Sequence, residues 1–403
     1  MQYDVAIVGA GPAGSTAAKF LSEQGIRTLL LEKTTFPRDK PCGGGLQMRI
    51  LQRFKYIEEN NLIDSYSSAI QIHAASMKHH LDFQHHKPLQ AMVQRRIFDE
   101  GLVNLATRSG AILRCGKAVK NITNEKEKIR IFLSKGTSVE SRLVIGADGT
   151  WSTIAKKIGM KQGCNHIGVC AYNEYSISPK TINRLYGDQR VVHIHLQPFG
   201  LAGYGWVFPK KEHVNIGVVE FRQAIDPTTE KKNLQVLYAQ YLQTLKEQKL
   251  IPKNLITKVI RGGVFPTCPA KRLIADRVLL CGDAGGLVNP MTGEGIYYAM
   301  WSGEIAAKIA IKALENNTTD VHSLKHYQSQ WNHEFQVNFS LLSWISKRWG
   351  RNVDNLIELV STDKKLIDIA CKAIPSPEGI HKEKWKLARR FILTYCKHRL
   401  RMI

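Results

Sequence analysis

The sequence predicts an α/β fold in which a nucleotide-binding type of parallel sheet is interleaved with a second β-sheet domain and followed by a helical C-terminal region. Three observations support this prediction. A strand, a glycine-rich turn and a helix open the chain, a stretch of similar character returns near residue 280, and the chain after about residue 320 is helical and basic. With 403 residues and 43% hydrophobic content, the chain is long enough for two domains.

The first element is the segment "YDVAIVGAGPAGSTAAKFLSEQGIRTLLLEK", which reads as strand, turn, helix and strand. Its glycines have the G-x-G-x-x-G spacing. Gly9 permits the turn, Gly11 lets a pyrophosphate approach the backbone beside Ala13, and Gly14 lets the helix and strand pack closely. Glu32 ends the second strand, where a carboxylate accepts hydrogen bonds from ribose hydroxyls. The segment therefore predicts a dinucleotide site at the helix N-terminus.

Strand signals recur through the middle of the chain, and the apolar spacing predicts helices over residues 97–109 and 234–248. Further strands are expected over residues 69–94, 112–119, 129–132, 143–145 and 166–219, and near residue 280. No flexible linker separates the domains. The predicted divisions are residues 1–68, 95–165 and 262–320 for the nucleotide-binding domain, 69–94 and 166–261 for a substrate-binding β-sheet domain, and 321–403 for the basic helical region.

Two later segments identify the dinucleotide. "VIGADGTWS" and "RVLLCGDAGGLVNPMTGEGIYYAMWSGEIAA" resemble the second and third fingerprints of flavoproteins of the p-hydroxybenzoate hydroxylase type. The resemblance implies FAD, with Asp283 at its ribityl and pyrophosphate region. It also implies that "TGEGI", containing Gly293, Gly295 and Ile296, opens a helix at the flavin pyrimidine ring. A helix dipole and free N–H groups would stabilise negative charge on the reduced ring.

Two shorter segments complete the implied FAD site. "VQRRIFDEGL" resembles the superfamily's V-x-R-x-x-F-D-x-x-L segment, which points to Arg95 rather than Arg96 as the cofactor arginine. Ala118 falls where a backbone contact to adenine is expected. Because no second G-x-G-x-x-G occurs, the electron donor is expected to be NAD(P)H docked transiently on the flavin domain, or another reduced carrier.

Within this superfamily, "KPCGGGL" and "GYGWVFPKKEHVNIGVV" resemble the P-C-G-G and Y-x-W-x-F-P motifs of the geranylgeranyl reductase family. That family reduces isolated carbon–carbon double bonds in polyprenyl chains, so the resemblance implies a prenyl lipid or quinone as substrate. It places Cys42 at the reaction centre, as a proton donor, a positioning group or a spectator. Gly43 and Gly45 are expected to let the backbone lie near the flavin ring.

Three aromatic residues alternate along the second motif. Tyr204, Trp206 and Phe208 would project to one face of a strand and form a wall for an isoprenoid, with Pro209 ending the strand. A core stripe of the sheet is the structural alternative.

Other functions remain open at this point. An FAD-dependent monooxygenase acting on an apolar substrate shares the same fingerprints, and so does a non-catalytic flavin-fold protein. Tryptophan halogenases carry W-x-W-x-I-P, whereas this chain reads Y-G-W-V-F-P, which argues against halogenation.

The formal net charge of +23 is compatible with binding to an anionic membrane surface or to nucleic acid. Because the sequence contains no nucleic-acid-binding motif, the protein is not expected to bind nucleic acid. The C-terminal stretch "HKEKWKLARRFILTYCKHRLRMI" places Trp385, Ala388, Phe391, Ile392 and Tyr395 at helical spacing among basic residues. This pattern predicts either a peripheral contact with an anionic membrane or a surface helix with a solvated basic face. No apolar run is long enough to cross a membrane.

Cysteine and histidine usage limits the remaining possibilities. Eight cysteines occur singly, so free thiols in a reducing cytosol are expected, with the protein cytoplasmic or peripheral at the inner face of the membrane. The four histidines of "KHHLDFQHH" alternate in direction along a strand and are not expected to hold a metal. The oligomeric state is not predicted.

Overall fold

The computed structural model describes residues 2–160, 166–223, 233–256, 258–348, 353–373 and 380–401. Its strands are β1 (Gln2–Val8), β2 (Thr28–Leu31), β3 (Gly45–Gln47), β4 (Ser65–Ser67), β5 (Ala69–His73), β6 (His80–Gln84), β7 (Gln90–Met92), β8 (Ile112–Arg114), β9 (Val119–Asn124), β10 (Ile129–Leu133), β11 (Ser138–Gly146), β12 (His166–Ser176), β13 (Val192–Leu196), β14 (Gly203–Pro209), β15 (His213–Gln223), β16 (Arg261–Pro266), β17 (Ile274–Ala275) and β18 (Val278–Leu280).

The α-helices are α1 (Pro12–Glu23), α2 (Arg49–Arg53), α3 (Tyr56–Glu59), α4 (Arg95–Arg108), α5 (Thr153–Lys157), α6 (Pro179–Tyr186), α7 (Leu234–Glu247), α8 (Ile296–Glu315), α9 (Val321–Trp331), α10 (Val337–Arg348), α11 (Val353–Ser361), α12 (Lys364–Ala373) and α13 (Ile380–Arg401).

The first sheet has eight strands and confirms the predicted α/β class. Its main path runs β17-β18-β11-β1-β2-β8, and the strands from β18 to β8 are parallel. Alternate residues of β1 enter different cores. Val5 and Ile7 pack towards α1, α4 and α8, whereas Ala6 and Val8 pack towards the β9–β10 hairpin. Helices therefore cover one face, and β1 ends at the glycine-rich turn.

Helix α8 crosses α1 at backbone contact distance. A Cβ atom on Gly303 would lie 2.2 Å from the Ala13 carbonyl oxygen, so only glycine allows this approach. The N-terminus of α8 is thereby held beside the glycine-rich turn that opens α1.

The second sheet has seven strands in the order β16-β12-β15-β14-β13-β5-β6. Helix α7 packs on one face, where Tyr238 and Tyr241 are fully buried among β14 and β15 residues. The other face carries Trp206 and Phe208 and turns towards the first sheet. Strands β5 and β6, which fall within the predicted strand region 69–94, form one edge of this sheet.

Two predicted boundaries differ from the observed sheets. Strand β7 pairs with β3 and β4 in a separate three-stranded sheet, so residues 90–92 do not belong to the second sheet. The boundary expected at residue 261 falls inside β16, which pairs with β12. The predicted strand over 112–119 is also interrupted, because Gly116 has a positive φ of 69° between β8 and β9.

The C-terminal helices are joined by one carboxylate. Asp363 accepts the backbone N–H groups of Lys365 and Leu366, a bidentate pair from Arg390 and the hydroxyl of Thr394. The pKa of Asp363 is lowered chiefly by the hydrogen bonds from Arg390. Among the described residues, no helix is long and apolar enough to span a bilayer.

Cysteine pairing differs from the expectation. Cys268 is disulfide-bonded, so the prediction that every cysteine is a free thiol is wrong; single spacing in sequence does not report which distant segments meet. Cys42, Cys115, Cys170, Cys281 and Cys396 are free. Cys164 lies outside the described residues. Within the described ranges, no group of histidine, cysteine or carboxylate side chains is arranged to hold a metal.

Candidate functional site

One cavity of about 590 Å³ lies between the two large sheets. Every residue that the sequence proposed for cofactor or substrate lines it, except Gly14 and Gly45. Its walls come from the β1–α1 turn, the loop after β2, the N-termini of α4 and α8, and the aromatic face of β14. Residues far apart in sequence therefore meet in a single crevice.

The glycine-rich turn follows its predicted logic. Gly9 has φ of 101°, and a Cβ there would lie 2.2 Å from the Ala147 carbonyl oxygen. A Cβ on Gly14 would lie 1.8 Å from the Gly9 carbonyl oxygen, which explains why Gly14 packs behind the cavity wall. Gly11 is different, because a Cβ there would meet only the Arg38 guanidinium, at 3.6 Å. The open side of Gly11 faces the cavity.

Glu32 and Arg38 form the polar end of the cavity. The Glu32 carboxylate accepts the Ala10 N–H at 3.0 Å, which ties the end of β2 to the glycine-rich turn. Arg38 pairs with Asp99 at 3.1 Å, and its buried Nε–H has no hydrogen-bond acceptor among the described residues. Sequence reasoning missed Arg38. The available signal was a basic residue in the loop that follows the ribose-type acid.

Arg95 enters the cavity from the first turn of α4. It makes a bidentate pair with Asp99, with distances of 2.7 and 2.8 Å, while Arg96 is exposed. Burial lowers the pKa of Arg95, but Asp99 and then the Cys42 thiol outweigh it, so the pKa is raised overall. The guanidinium therefore remains a cation directly beside Cys42.

The N-terminus of α8 opens into the same crevice. Gly295 is its N-cap and no side chain caps it, so the first-turn N–H groups stay available. Gly293 has φ of 70° and lies against Phe265 and Tyr204. Behind this loop Glu294 pairs with Arg49 at 2.7 Å. Burial raises the pKa of Glu294, and Arg49 opposes this.

Asp283 and Ala118 occupy the remaining predicted positions. Asp283 lies in a short 3-10 turn over Gly282–Gly285, and one of its oxygens accepts the Thr150 hydroxyl at 3.4 Å. Ala118 precedes β9, and its carbonyl accepts the Ser134 N–H. Both line the cavity.

The aromatic side chains of β14 lie on one face, as their alternation predicted. Trp206 is 6.0 Å from Tyr204 and 6.2 Å from Phe208 between ring centroids. Glycine makes this packing possible, because a Cβ on Gly217 of the paired strand would lie 2.2 Å from the Trp206 ring. The Tyr204 hydroxyl donates to the Thr292 carbonyl at 2.6 Å, which joins the wall to the loop before α8.

Cys42 lies where the wall meets the flavin-type crevice, and its Sγ accepts the Gly44 N–H at 3.3 Å. Gly43 and Gly45 also have a steric role against the aromatic wall. A Cβ on Gly43 would lie 2.8 Å from the Phe208 ring, and one on Gly45 would lie 3.1 Å from it. These glycines make room for the aromatic wall, and Gly43 alone of the two also lines the cavity.

The residues present fit a dinucleotide cofactor with a flavin ring. The buried Nε–H of Arg38 lies 3.9 Å from the Glu32 carboxylate but makes no hydrogen bond among the described residues, so an anionic or polar acceptor inside the cavity would satisfy it, and the open space beside Gly11 admits one. Arg95 and the uncapped α8 terminus add positive potential at two further points. The expected FAD would be held by these groups together with Glu32.

Comparison with known proteins agrees with this arrangement. Residues 2–333 match a family described as FAD binding domain. A digeranylgeranylglycerophospholipid reductase of Methanopyrus kandleri is 29% identical over 389 residues, covering 92% of this chain and 99% of that protein.

Solved structures share the fold. A geranylgeranyl bacteriochlorophyll reductase-like protein from Thermoplasma acidophilum superposes with a TM-score of 0.80 at 24% identity, covering 95% of this chain and 98% of that one. A flavin-dependent brominase superposes with a TM-score of 0.71 at 18% identity, covering 97% and 100%. The resemblance to the reductase family drawn from the sequence motifs is confirmed.

Proposed function

The chain belongs to the FAD binding domain family, and from this premise we propose that it is an FAD-dependent reductase of isolated carbon–carbon double bonds in a polyprenyl lipid or quinone. The single observation that carries the proposal is that a thiol, a cation and an aromatic wall share the cavity, namely Cys42, Arg95 and the β14 aromatics. The named reductase relatives support the same chemistry.

The chemistry assigns a task to each group. FAD held by Glu32, Arg38 and the N-terminus of α8 would, once reduced, supply the hydride for one alkene carbon. An isolated alkene has no carbonyl to polarise, so a proton must reach the other carbon in a pocket that excludes water. Trp206 and Phe208 supply apolar surface for the chain. Cys42 can hold the proton at Sγ, and Arg95 together with the Gly44 N–H would stabilise the thiolate left behind.

The function is tested by anaerobic turnover. Purified holoprotein is reduced with dithionite and incubated with a digeranylgeranyl lipid, and the lipid is analysed by mass spectrometry. Mass increases in steps of about two daltons, one per double bond, are expected without oxygen. A monooxygenase would instead require oxygen and add about 16 daltons. An unchanged lipid under both conditions would contradict both assignments.

Cys42→Ala is expected to retain FAD and lower the rate of alkene reduction by about 100-fold or more, the scale of a lost proton donor. Single-turnover oxidation of the reduced flavin by the prenyl lipid measures this rate. Cys170→Ala is the matched control. Cys170 lines the same cavity, but burial raises its pKa to about 11, so this thiol is a weak acid and its loss should leave the rate nearly unchanged. Full activity in Cys42→Ala would exclude the thiol from the mechanism.

A peripheral contact with an anionic membrane is the second part of the proposal, because a prenyl lipid must be taken from a bilayer. Helix α13 packs inward through Arg390 and Thr394. Its outer side carries Trp385, Ile392 and Tyr395, which are 75%, 59% and 45% exposed. Lys386, Arg389 and Lys397 flank them and are also exposed. Large apolar side chains beside exposed cations suit the interface of an anionic bilayer.

Replacing Trp385 and Ile392 together with serine should weaken binding to vesicles by about tenfold or more, since each buries apolar area worth more than about 1 kcal/mol. Cosedimentation with vesicles containing about one-third phosphatidylglycerol measures this, with pure phosphatidylcholine as the low-charge comparison. Val236→Ser is the matched control, because Val236 is 52% exposed on α7. Equal binding by the wild type, the double variant and Val236→Ser would show that α13 does not contribute to membrane binding.

A further inference from the structure

Asn215 connects the reactive loop to the aromatic wall. It lies on β15 and is 1% exposed. The Trp206 Nε1–H donates to Asn215 Oδ1 at 2.8 Å, and Asn215 Nδ2–H donates to the Cys42 carbonyl at 3.2 Å. One buried amide thus joins the backbone of Cys42 to the indole at the centre of the wall.

The amide can satisfy this role in only one orientation. The indole N–H can only donate and the Cys42 carbonyl can only accept, so the amide oxygen must face Trp206 and the amide nitrogen must face Cys42. Ionised aspartate has the same shape but lacks the N–H donor, and leucine lacks both the donor and the acceptor. Losing either bond leaves a buried polar group unpaired, at a cost of about 1–3 kcal/mol.

The loop is also fitted against the wall without side chains. A Cβ on Gly43 would lie 2.8 Å from the Phe208 ring and 3.2 Å from the Trp206 indole nitrogen. Gly44 has φ of 80°, and its carbonyl accepts the Val93 N–H at 2.8 Å. The loop is therefore anchored at Val93 on one side and at Asn215 on the other. Only the Asn215 anchor depends on the aromatic wall.

We propose that Asn215 is a positioning residue that fixes the Cys42 loop relative to Trp206, so that thiol and wall act on the same double bond of a bound prenyl chain. This rests on the proposed function. A prenyl chain has several equivalent double bonds. Reduction of one of them therefore requires a fixed distance between Trp206, which binds the chain, and Cys42, which acts on the double bond. The amide sets that distance through two directional bonds.

The test compares Asn215→Asp and Asn215→Leu with Asn173→Leu, all as FAD-loaded holoproteins of equal flavin content. Asn173 is the matched control, because it is an equally buried asparagine on the neighbouring strand whose side chain bonds the Lys258 carbonyl instead. Two readouts are used. One is the split between kcat and KM for a prenyl lipid, and the other is the rate of Cys42 alkylation by iodoacetamide, followed by peptide mass spectrometry.

Both Asn215 variants should lower kcat by about tenfold or more with KM changed less than about threefold. The aromatic wall still binds the prenyl chain in these variants, but Cys42 is no longer held in position relative to Trp206. Cys42 alkylation should accelerate at least threefold as the loop loosens. Trp206→Phe should accelerate it similarly, and its combination with Asn215→Leu should add little.

Two results would overturn the proposal: unchanged kcat and alkylation in the Asn215 variants, or the same changes in Asn173→Leu. If the wild-type protein reduces no prenyl lipid, the proposed function fails, and the alkylation rates alone decide whether Asn215 holds the loop. Asn215→Asp keeps the shape of the side chain and the hydrogen bond from Trp206. If Asn215→Leu fails to fold, this variant alone can be compared with the wild type.

Discussion

Lowering the pH from 7 to 5 is expected to destabilise the folded protein by about 4 kcal/mol through two buried histidines alone. His73 on β5 and His193 on β13 hydrogen-bond each other at 3.1 Å. Burial is the main cause that lowers the pKa of His73 to about 4 and that of His193 to about 3. The neighbouring imidazoles add to this.

A third histidine extends the cluster. His195 stacks on His73 at 4.3 Å and bonds the Tyr241 hydroxyl through Nδ1 at 2.8 Å. Its pKa is also lowered well below the ordinary value, first by burial. Three further groups surround the cluster, namely His80 and Asp82 on β6 and Tyr186 on α6. Of these, Asp82 raises the pKa of His73, whereas His80 lowers it.

The sign follows from which state binds the proton. In the unfolded chain His73 and His193 titrate near pH 6.5, whereas in the folded protein His73 stays neutral down to about pH 4 and His193 down to about pH 3. This contribution to stability is therefore present above pH 6.5 and is lost progressively as the pH falls from 6.5 through about 4 for His73 and about 3 for His193. Each histidine contributes about 2 kcal/mol between pH 7 and pH 5, against a total stability of about 5–15 kcal/mol.

Urea unfolding at several pH values measures the effect. Replacing His73 and His193 together with asparagine should reduce stability at pH 7 but make its pH dependence shallower, by about 2.4 kcal/mol per pH unit between pH 6 and 5. His86→Asn is the control, because His86 is exposed and lies outside the cluster, so this variant should keep the contribution of His73 and His193 to the slope. Identical slopes in the wild type and the double variant would contradict the assignment to this cluster.

Gly14→Ala should destabilise the protein by about 3 kcal/mol or more, while Gly11→Ala should reduce FAD affinity at least about tenfold with little loss of stability. The two glycines lie three residues apart in one motif, yet their surroundings differ. A Cβ on Gly14 would lie 1.8 Å from the Gly9 carbonyl oxygen, whereas a Cβ on Gly11 would make only an ordinary contact with the Arg38 guanidinium at 3.6 Å. The missing side chain at Gly14 allows the helix to pack on the strand, and the missing side chain at Gly11 leaves room for the cofactor.

Urea unfolding and flavin fluorescence titration separate these effects. Gly262→Ala is a control for the substitution itself, because a Cβ there would make an ordinary contact at 3.4 Å. Equal loss of stability in Gly11→Ala and Gly14→Ala would contradict the division of roles. Unchanged FAD affinity in Gly11→Ala would mean that the pyrophosphate does not approach this residue.

The sequence predicts those parts of the site that depend on local geometry. The Gly9 turn, Glu32 at the end of β2 and the entry of α4 at Arg95 follow from short motifs whose conformation is set within a few residues. The alternation of Tyr204, Trp206 and Phe208 predicts their common face for the same reason.

The groups that join distant segments could not be predicted. Arg49 and Glu294 are 245 residues apart, and Asn215 is 173 residues from Cys42. Their pairing depends on how the sheets are arranged, which no short motif encodes. The histidine cluster is hidden for the same reason, because His73 lies beside His193 only through the parallel pairing of β5 with β13.

The interleaved order of the strands has a consequence for how the protein is made. β1 pairs with β11, and β11 pairs with β18, while α1 is covered by α8. When a ribosome has released the first 250 residues, β11 still has an open edge and α1 an uncovered apolar face. The cofactor crevice closes only after the segment 278–315 has emerged, so long-range pairing delays completion of the fold. Chains truncated before this segment should accumulate as aggregates rather than as smaller folded domains.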